Sequence, residues 1–363
     1  MSPGRIDLGK RPRVVCLGQP KFVGDDYLAE FQEDFDFSVL EAYNHKETKE
    51  KLPLDIKKNG PIDAFIIRMG TPPYEPFDEE MFSMMAPSCK IVASSSAGYN
   101  EFPAEWLASK GVYLCNTIDA VAEATADMAL FLTLAVLRNT TNAENSARNG
   151  TWRAASGLVP ARDPSGLTMG IVGLGSIGKV NRIVPGISRV WLTSVRLQYL
   201  AKKAAVFNIN IRYYNRNRLP REEEAKYNAT YCSSLHELLS SSDIVSLNCP
   251  LNANTTNLIG PKEFAAMKDG TFLINTARGS VVDEAALKQA LESGKVTRAG
   301  LDVFCDEPNV DKWFLESDKV VIQPHLGGLT DMAFQRGERE CFENIKAYFS
   351  TGVPNSAVLP LKN

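Results

Sequence analysis

Short apolar runs alternate with longer amphipathic stretches along nearly the whole chain. Residues 13–18 (RVVCLG), 64–68 and 90–94 are continuous apolar runs of strand length, with helical patterns between them. A second series follows at 167–172, 209–214, 244–247, 271–275, 298–303 and 319–322. Runs that do not alternate belong to strands buried on both faces, and strand alternating with helix predicts parallel sheets covered by helices. Between the two series, 123–138 (EATADMALFLTLAVLR) is apolar all round, with acids early and Arg138 last, as the helix dipole prefers. A helix of that kind is expected to be buried between domains or between subunits. Asp283 is the expected cap of a helix 284–293 that Gly294 ends, and 331–349 is again helical in pattern, able to pack on either domain. Residues 1–10 are polar and predict a loose tail.

The length of 363 residues accommodates the two series as two α/β domains, at about 150 residues per domain. Composition narrows the partners. Lys and Arg number 40 against 43 Asp and Glu, so there is no cationic excess to neutralise a nucleic-acid backbone. The most apolar stretch, 128–137, is too short to cross a bilayer, and the first residues carry no apolar signal core. Seven cysteines stand singly, without metal-ligand spacing, and read as reduced thiols of a cytoplasmic protein with no bound metal.

The strand 167–172 runs directly into Gly173-Leu174-Gly175-Ser176-Ile177-Gly178. A G-x-G-x-x-G turn after a strand is the dinucleotide fingerprint. Gly173 permits the tight turn, Gly175 lets the backbone approach a pyrophosphate, and Gly178 lets the helix pack on the strand. The N–H groups that open the helix, around Ser176 and Ile177, then face the phosphates. At the end of the next strand the fingerprint expects an acid for the ribose 2′-hydroxyl, but this chain has Asn215-Arg216. An acid repels a 2′-phosphate whereas Asn with Arg accepts one, so NADP(H) is expected in preference to NAD(H), with NAD(H) still possible. The competing reading of this loop is a solvated basic surface.

Three further segments each follow a strand: Asn275-Thr276-Ala277-Arg278-Gly279, Gly300-Leu301-Asp302 running on to Glu307-Pro308, and Pro324-His325-Leu326-Gly327-Gly328. The carboxyl ends of parallel strands are where open α/β sheets bind ligands. Taken in order with Thr125 of EATAD and Cys249-Pro250-Leu251, these segments resemble the D-isomer-specific 2-hydroxyacid dehydrogenases over roughly residues 14–349. The stretches LGQP and SSSAGYN are most similar to the fungal D-mandelate dehydrogenase-like branch, beside the 2-ketoacid (glyoxylate/hydroxypyruvate) reductases.

The resemblance implies two Rossmann-like parallel-sheet domains. A flavodoxin-like substrate domain would span 11–118, completed by 326–352, and an NAD(P)-binding Rossmann domain would span 119–325. Arg278 would bind the substrate carboxylate and polarise the ketone, since a guanidinium offers the planar fork a carboxylate needs. His325 would be the acid/base, a role suited to a side chain that titrates near neutrality, and Glu307 would orient its ring. Thr125, Cys249, Pro250, Thr255, Thr276, Ala277, Asp302 and Gly327 would contact the cofactor, and Ala97-Gly98 would offer N–H groups to the substrate. The expected reaction is reduction of a small 2-keto acid to a D-2-hydroxy acid. Selectivity would lie in pocket walls near Met69-Gly70 and Tyr99. A homodimer packed through 123–138 is expected. The alternatives are a non-catalytic cofactor-sensing protein of the same fold, similar to transcriptional corepressors, and an enzyme disabled in this chain. His45 and His236 lie away from strand ends. Asn248 stands where His is usual and Asn100 where an acid is usual, while Glu307 separates the chain from the formate dehydrogenase branch.

One spacing does not fit. Gly178 and Asn215 are 37 positions apart, where about 18 suit the fold. Removing 180–198 joins Lys179 to Tyr199 in one amphipathic helix, whereas the chain as written places Pro185-Gly186 inside it. The segment has three Arg and no acid. Every Val codon begins GT, a Gln codon can end AG, and Leu192-Thr193 can be encoded with CTAAC inside. Residues 180–198 therefore read as an unspliced intron translated in frame, against the alternative of a genuine surface insertion.

Overall fold

The computed structural model describes residues 11–68, 77–117, 119–154, 161–173 and 195–361. The chain divides into two compact units, one taking the chain up to Val121 and again from Leu329, the other the described residues from Ala122 to Gly328.

The first unit is built on β1 (Arg13–Leu17), β2 (Asp36–Leu40), β3 (Ala64–Ile67), β4 (Ile91–Ser94) and β5 (Tyr113–Cys115). Their order is β2-β1-β3-β4-β5 and every pairing is parallel, the flavodoxin-like order. Side chains alternate across the sheet. Val15, Leu17, Phe65, Ile67 and Val92 enter one core, and Val14, Cys16, Ala64, Ile66 and Ile91 enter the other. This is why the strands read as unbroken apolar runs. The second core is closed by Phe31 and Phe35 at the helix Asp25–Asp34 and by Cys341, Phe342 and Ile345 of the terminal helix Asp331–Thr351. That helix therefore packs in the first unit. Thr330 caps it, accepting from the Ala333 N–H, and Gly352 closes it in the left-handed conformation. Buried Glu338 receives backbone N–H bonds from Lys21, Phe22 and Val23, the latter two at 2.6 and 3.0 Å.

The second unit contains β6 (Thr168–Val172), β7 (Asn210–Tyr214), β8 (Ala229–Tyr231), β9 (Ile244–Leu247), β10 (Thr271–Asn275), β11 (Val296–Leu301) and β12 (Val320–Ile322). The parallel sheet runs β12-β11-β10-β9-β6-β7-β8. Strand order reverses between β6 and β9, the position where doubly wound sheets open a ligand crevice at their carboxyl edge.

The apolar helix forms as Ala122–Arg138, but it is not buried all round. Ala126, Ala129, Leu132, Ala135 and Val136 pack within the second unit against Met169, Ile171, Ile274 and the helix Val195–Ala205. Asp127 and Phe131 on its other side are exposed. Ala supplies much of the buried face because the helix lies close to the sheet. A Cβ at Gly300 on β11 would stand 2.9 Å from the Leu132 Cβ. Asp283 caps the helix Glu284–Glu292 as expected, accepting from the Ala286 N–H at 3.0 Å. All seven cysteines are free thiols. Among the described residues no helix is long and apolar enough to cross a membrane, and no His, Cys, Asp and Glu group could hold a metal ion.

Candidate active site

The carboxyl ends of β10 and β11 and the loop after β12 converge. Asn275 closes β10 with two bonds to its own loop. Its side-chain oxygen accepts from the Ala277 N–H and its Nδ2 donates to the Arg278 carbonyl, both at 3.0 Å. The Arg278 guanidinium donates to the Ala277 carbonyl at 2.9 Å. Gly279 follows where the chain meets the Phe304-Cys305 backbone. A Cβ there would lie 1.9 Å from the Phe304 carbonyl carbon, so only glycine fits.

Asp302, directly after β11, builds the turn that presents His325. Its carbonyl accepts the His325 N–H, and its two carboxylate oxygens accept those of Leu326 and Gly327, each at 2.8 Å. His325 thereby sits in the left-handed region at φ 56, which is uncommon for a residue with a Cβ. Burial pushes the Asp302 carboxyl above the usual range, while the two N–H groups and the His325 charge act against that. A Cβ at Gly327 would meet the Asp302 carboxylate at 2.6 Å and the Thr125 methyl at 3.6 Å, so Thr125, Asp302 and Gly327 lie together.

Glu307 completes the arrangement. One oxygen accepts from the Phe304 N–H at 2.8 Å and the other lies 2.7 Å from Nδ1 of His325. Burial works to raise the Glu307 carboxyl, but the His325 bond, its charge, the Phe304 N–H and the Arg278 charge hold it below the ordinary carboxylate range. With Nδ1 engaged by Glu307, Nε2 is the ring nitrogen left for chemistry, on a side chain 42% exposed. The structure thus brings Arg278, Glu307 and His325 into one electrostatic group.

The expected cofactor residues line the same edge. Gly173 has φ +96, and a Cβ on it would meet Cys249 backbone and side chain at about 2.5 Å. Its N–H donates to the Tyr214 carbonyl at 3.1 Å, which sets the start of the turn beside Asn215. Asn215 and Thr276 are buried, and Oδ1 of the one and Oγ1 of the other have no hydrogen-bond partner among the described residues. Buried polar atoms are rarely left unpaired, so two such atoms flanking a glycine cradle fit a bound dinucleotide. Arg216 is exposed. Ala277 is buried in the β10 loop, and burial raises the Cys249 thiol to about 11. Thr255 uses its hydroxyl locally, donating to the Pro250 carbonyl at 2.6 Å and accepting from the Asn252 N–H at 2.8 Å. Gly175, Ser176, Ile177, Gly178, most of 180–198, and Met69 and Gly70 lie outside the described residues. The helix Val195–Ala205 begins inside the last four residues of that segment.

Ala97 and Gly98 belong to the first unit, after β4, where the Ala97 carbonyl accepts from Asn116 at 2.7 Å and the Gly98 carbonyl accepts from Ser96 at 2.8 Å. His236 lies in the short helix Leu235–Ser241. His45, likewise away from strand ends, opens the helix His45–Asn59 with Nε2 3.3 Å from Asp78. Sequence reasoning missed the turn-building role of Asp302, whose partners lie 24 and 25 positions away.

The D-isomer specific 2-hydroxyacid dehydrogenase NAD-binding domain matches residues 130–185 and 198–327. A dehydrogenase of Hormonema carpetanum is 52% identical over 99% of this chain and 84% of its own length. The apo D-mandelate dehydrogenase of Rhodotorula graminis superposes with a TM-score of 0.82 at 31% identity, covering 97% of this chain and 99% of that one. An NADPH-dependent glyoxylate/hydroxypyruvate reductase of Sinorhizobium meliloti superposes with a TM-score of 0.76 at 27% identity, covering 97% and 100%.

Proposed function

The chain belongs to the D-isomer specific 2-hydroxyacid dehydrogenase family, an oxidoreductase of 2-keto and 2-hydroxy acids, and from that premise we propose which of its residues perform the reaction and which cofactor it prefers. The observation that carries the proposal is the Glu307–His325 pair under the charge of Arg278. Arg278 takes the substrate carboxylate in its planar fork and draws electron density toward the keto oxygen. Nε2 of protonated His325 gives its proton to that oxygen as the carbon is reduced, and takes it back in the oxidation. Glu307 holds the ring through Nδ1 and stabilises the imidazolium with a charged hydrogen bond. The bound nicotinamide supplies or accepts the hydride. Thr125, Gly173, Cys249, Pro250, Thr255, Thr276, Ala277, Asp302 and Gly327 line or shape its site.

The preferred cofactor is NADP(H), supported by the unpartnered Asn215 oxygen and the exposed Arg216 in place of an acid. The likeness to an NADPH-dependent reductase supports the same reading. Residues 180–198 are a retained intron sequence, a reading supported by the interruption of the family match between 185 and 198. Free thiols support a reducing cytoplasm, and exposed Phe131 supports a homodimer packed through the outer face of Ala122–Arg138.

The deciding experiment follows NADPH and NADH consumption with a panel of 2-keto acids, for the chain as written and for a chain lacking 180–198. Turnover in the shortened chain with a lower KM for NADPH is expected. Cofactor binding without turnover of any acid would favour the cofactor-sensing reading. Turnover with an equal or lower KM for NADH would overturn the cofactor preference.

A further inference from the structure

The loop that ends β7 is pinned at both ends by a buried polar network. Tyr213, fully buried on β7, donates its hydroxyl to Glu224 and accepts the Leu219 N–H at 3.0 Å. Glu224 is 8% exposed, and its two oxygens take Nε and Nη2 of Arg218 at 2.8 and 2.9 Å. The Arg218 guanidinium also lies 5.2 Å from the centre of the Tyr231 ring. The Tyr231 hydroxyl reaches back to the Asn215 carbonyl at 3.4 Å. Every residue from 215 to 219 thus stands beside or within a fixed contact. Among the described residues, the groups of this loop not consumed are the buried Asn215 side-chain oxygen and the exposed side chains of Arg216 and Asn217.

We propose that Glu224 is a positioning residue for 2′-phosphate recognition, locking Arg218 away as a strut so that Asn215 and Arg216, and not Arg218, face the adenosine ribose. The inference rests on the NADP(H) reading above and deepens it. A bidentate carboxylate–guanidinium pair with a ring beneath it is rigid as well as strong. A cation so committed is a poor second ligand for an exchangeable anion. The loop is thereby ordered before any ligand arrives, and a binding site loses less entropy when its loop is already held.

The alternative is that Arg218 swings from Glu224 to the phosphate, making the carboxylate a competitor. The two predict opposite signs. Calorimetric titration with adenosine 2′,5′-bisphosphate and with 5′-AMP separates the 2′-phosphate from the rest of the nucleotide and needs no turnover. For the strut, Glu224→Gln weakens the bisphosphate roughly tenfold and leaves 5′-AMP within about twofold, as for one lost charge-assisted contact. Arg216→Met abolishes most of the difference between the two ligands. Should Glu224→Gln not fold, Tyr213→Phe removes the hydroxyl joining Glu224 to Leu219 and is expected to move the ratio the same way. Tighter bisphosphate binding in Glu224→Gln, or an unchanged ratio in a wild type that favours the bisphosphate, overturns the strut alone. A wild type that does not favour the bisphosphate overturns the NADP(H) reading and the strut with it.

Discussion

Thr276 is a residue whose present state is unfavourable without a ligand. Its hydroxyl is buried and has no partner among the described residues, and an unmet buried donor costs about 1–3 kcal/mol. Thr276→Val keeps the shape and removes that penalty. The cofactor-free variant is expected to melt a few degrees higher while binding NADPH more weakly. Thermal unfolding with and without cofactor checks both, and a variant that neither gains stability nor loses affinity would remove Thr276 from the site. At His325, replacement by Ala should lower kcat by about 10²–10⁴, the usual loss of a general acid. Glu307→Gln removes the negative charge that favours the imidazolium, so the basic limb of the kcat/KM profile for reduction should move to lower pH. Near-complete activity in His325→Ala would reassign the acid. These side chains were legible because each stands just past a strand, where an open sheet exposes chemistry. Asp302 and Glu338 were not legible as builders of turns, because their partners are remote in sequence and a carboxylate announces nothing about which N–H groups it will meet.

Whole elements were read for the same physical reason wherever both faces are buried. β2, β5 and β8 escaped notice because they are edge strands with exposed or half-buried positions, and three-residue strands such as Tyr113–Cys115 and Ala229–Tyr231 carry almost no pattern. Along the helix Ala122–Arg138 the pattern did not separate the two faces, since Ala and Thr on the side buried within the chain and Phe131 on the exposed side look alike to hydropathy. Its close approach to the sheet gives a test. Gly300→Ala pushes a methyl to 2.9 Å from Leu132 and should cost about 1–3 kcal/mol, measured by denaturant unfolding.

The terminal helix gives a pH test. Burial, then Asp119, raises the Glu340 carboxyl to about 7, and a bond from the Ala120 N–H and the Arg336 charge only partly oppose it. A native acid that holds its proton longer than the unfolded chain favours folding at low pH. That contribution fades as pH rises from the ordinary carboxylate value through about 7. Glu340→Gln should therefore match wild type near pH 4 and exceed it at pH 8, by on the order of 3 kcal/mol. An equal difference at both pH values would show that the carboxyl does not titrate in this range.

For the whole molecule, the chain runs out of the first unit at Val121, completes the second, and returns at Leu329. The return was implied by the family resemblance but left open by the helical pattern itself, because an amphipathic helix does not name the sheet it covers. It is decided by Phe342 and Ile345 filling the core beside Phe31, and by Glu338 gathering the N–H groups of Lys21, Phe22 and Val23. Deleting 331–361 is accordingly expected to unfold the first unit while the second keeps a separate unfolding transition, seen by calorimetry. The same arrangement sets an order of events during synthesis. The first sheet, finished at Cys115, waits for the helix Asp331–Thr351, some 200 residues behind it, and at about 5–20 residues per second that is roughly 10–40 s. Throughout that interval the strands beside Phe31 and Phe35 lack the helix that closes their core. The nascent amino-terminal segment is the stretch on which a chaperone would be expected to sit, while the second unit, translated without interruption by the first, is free to fold on its own schedule.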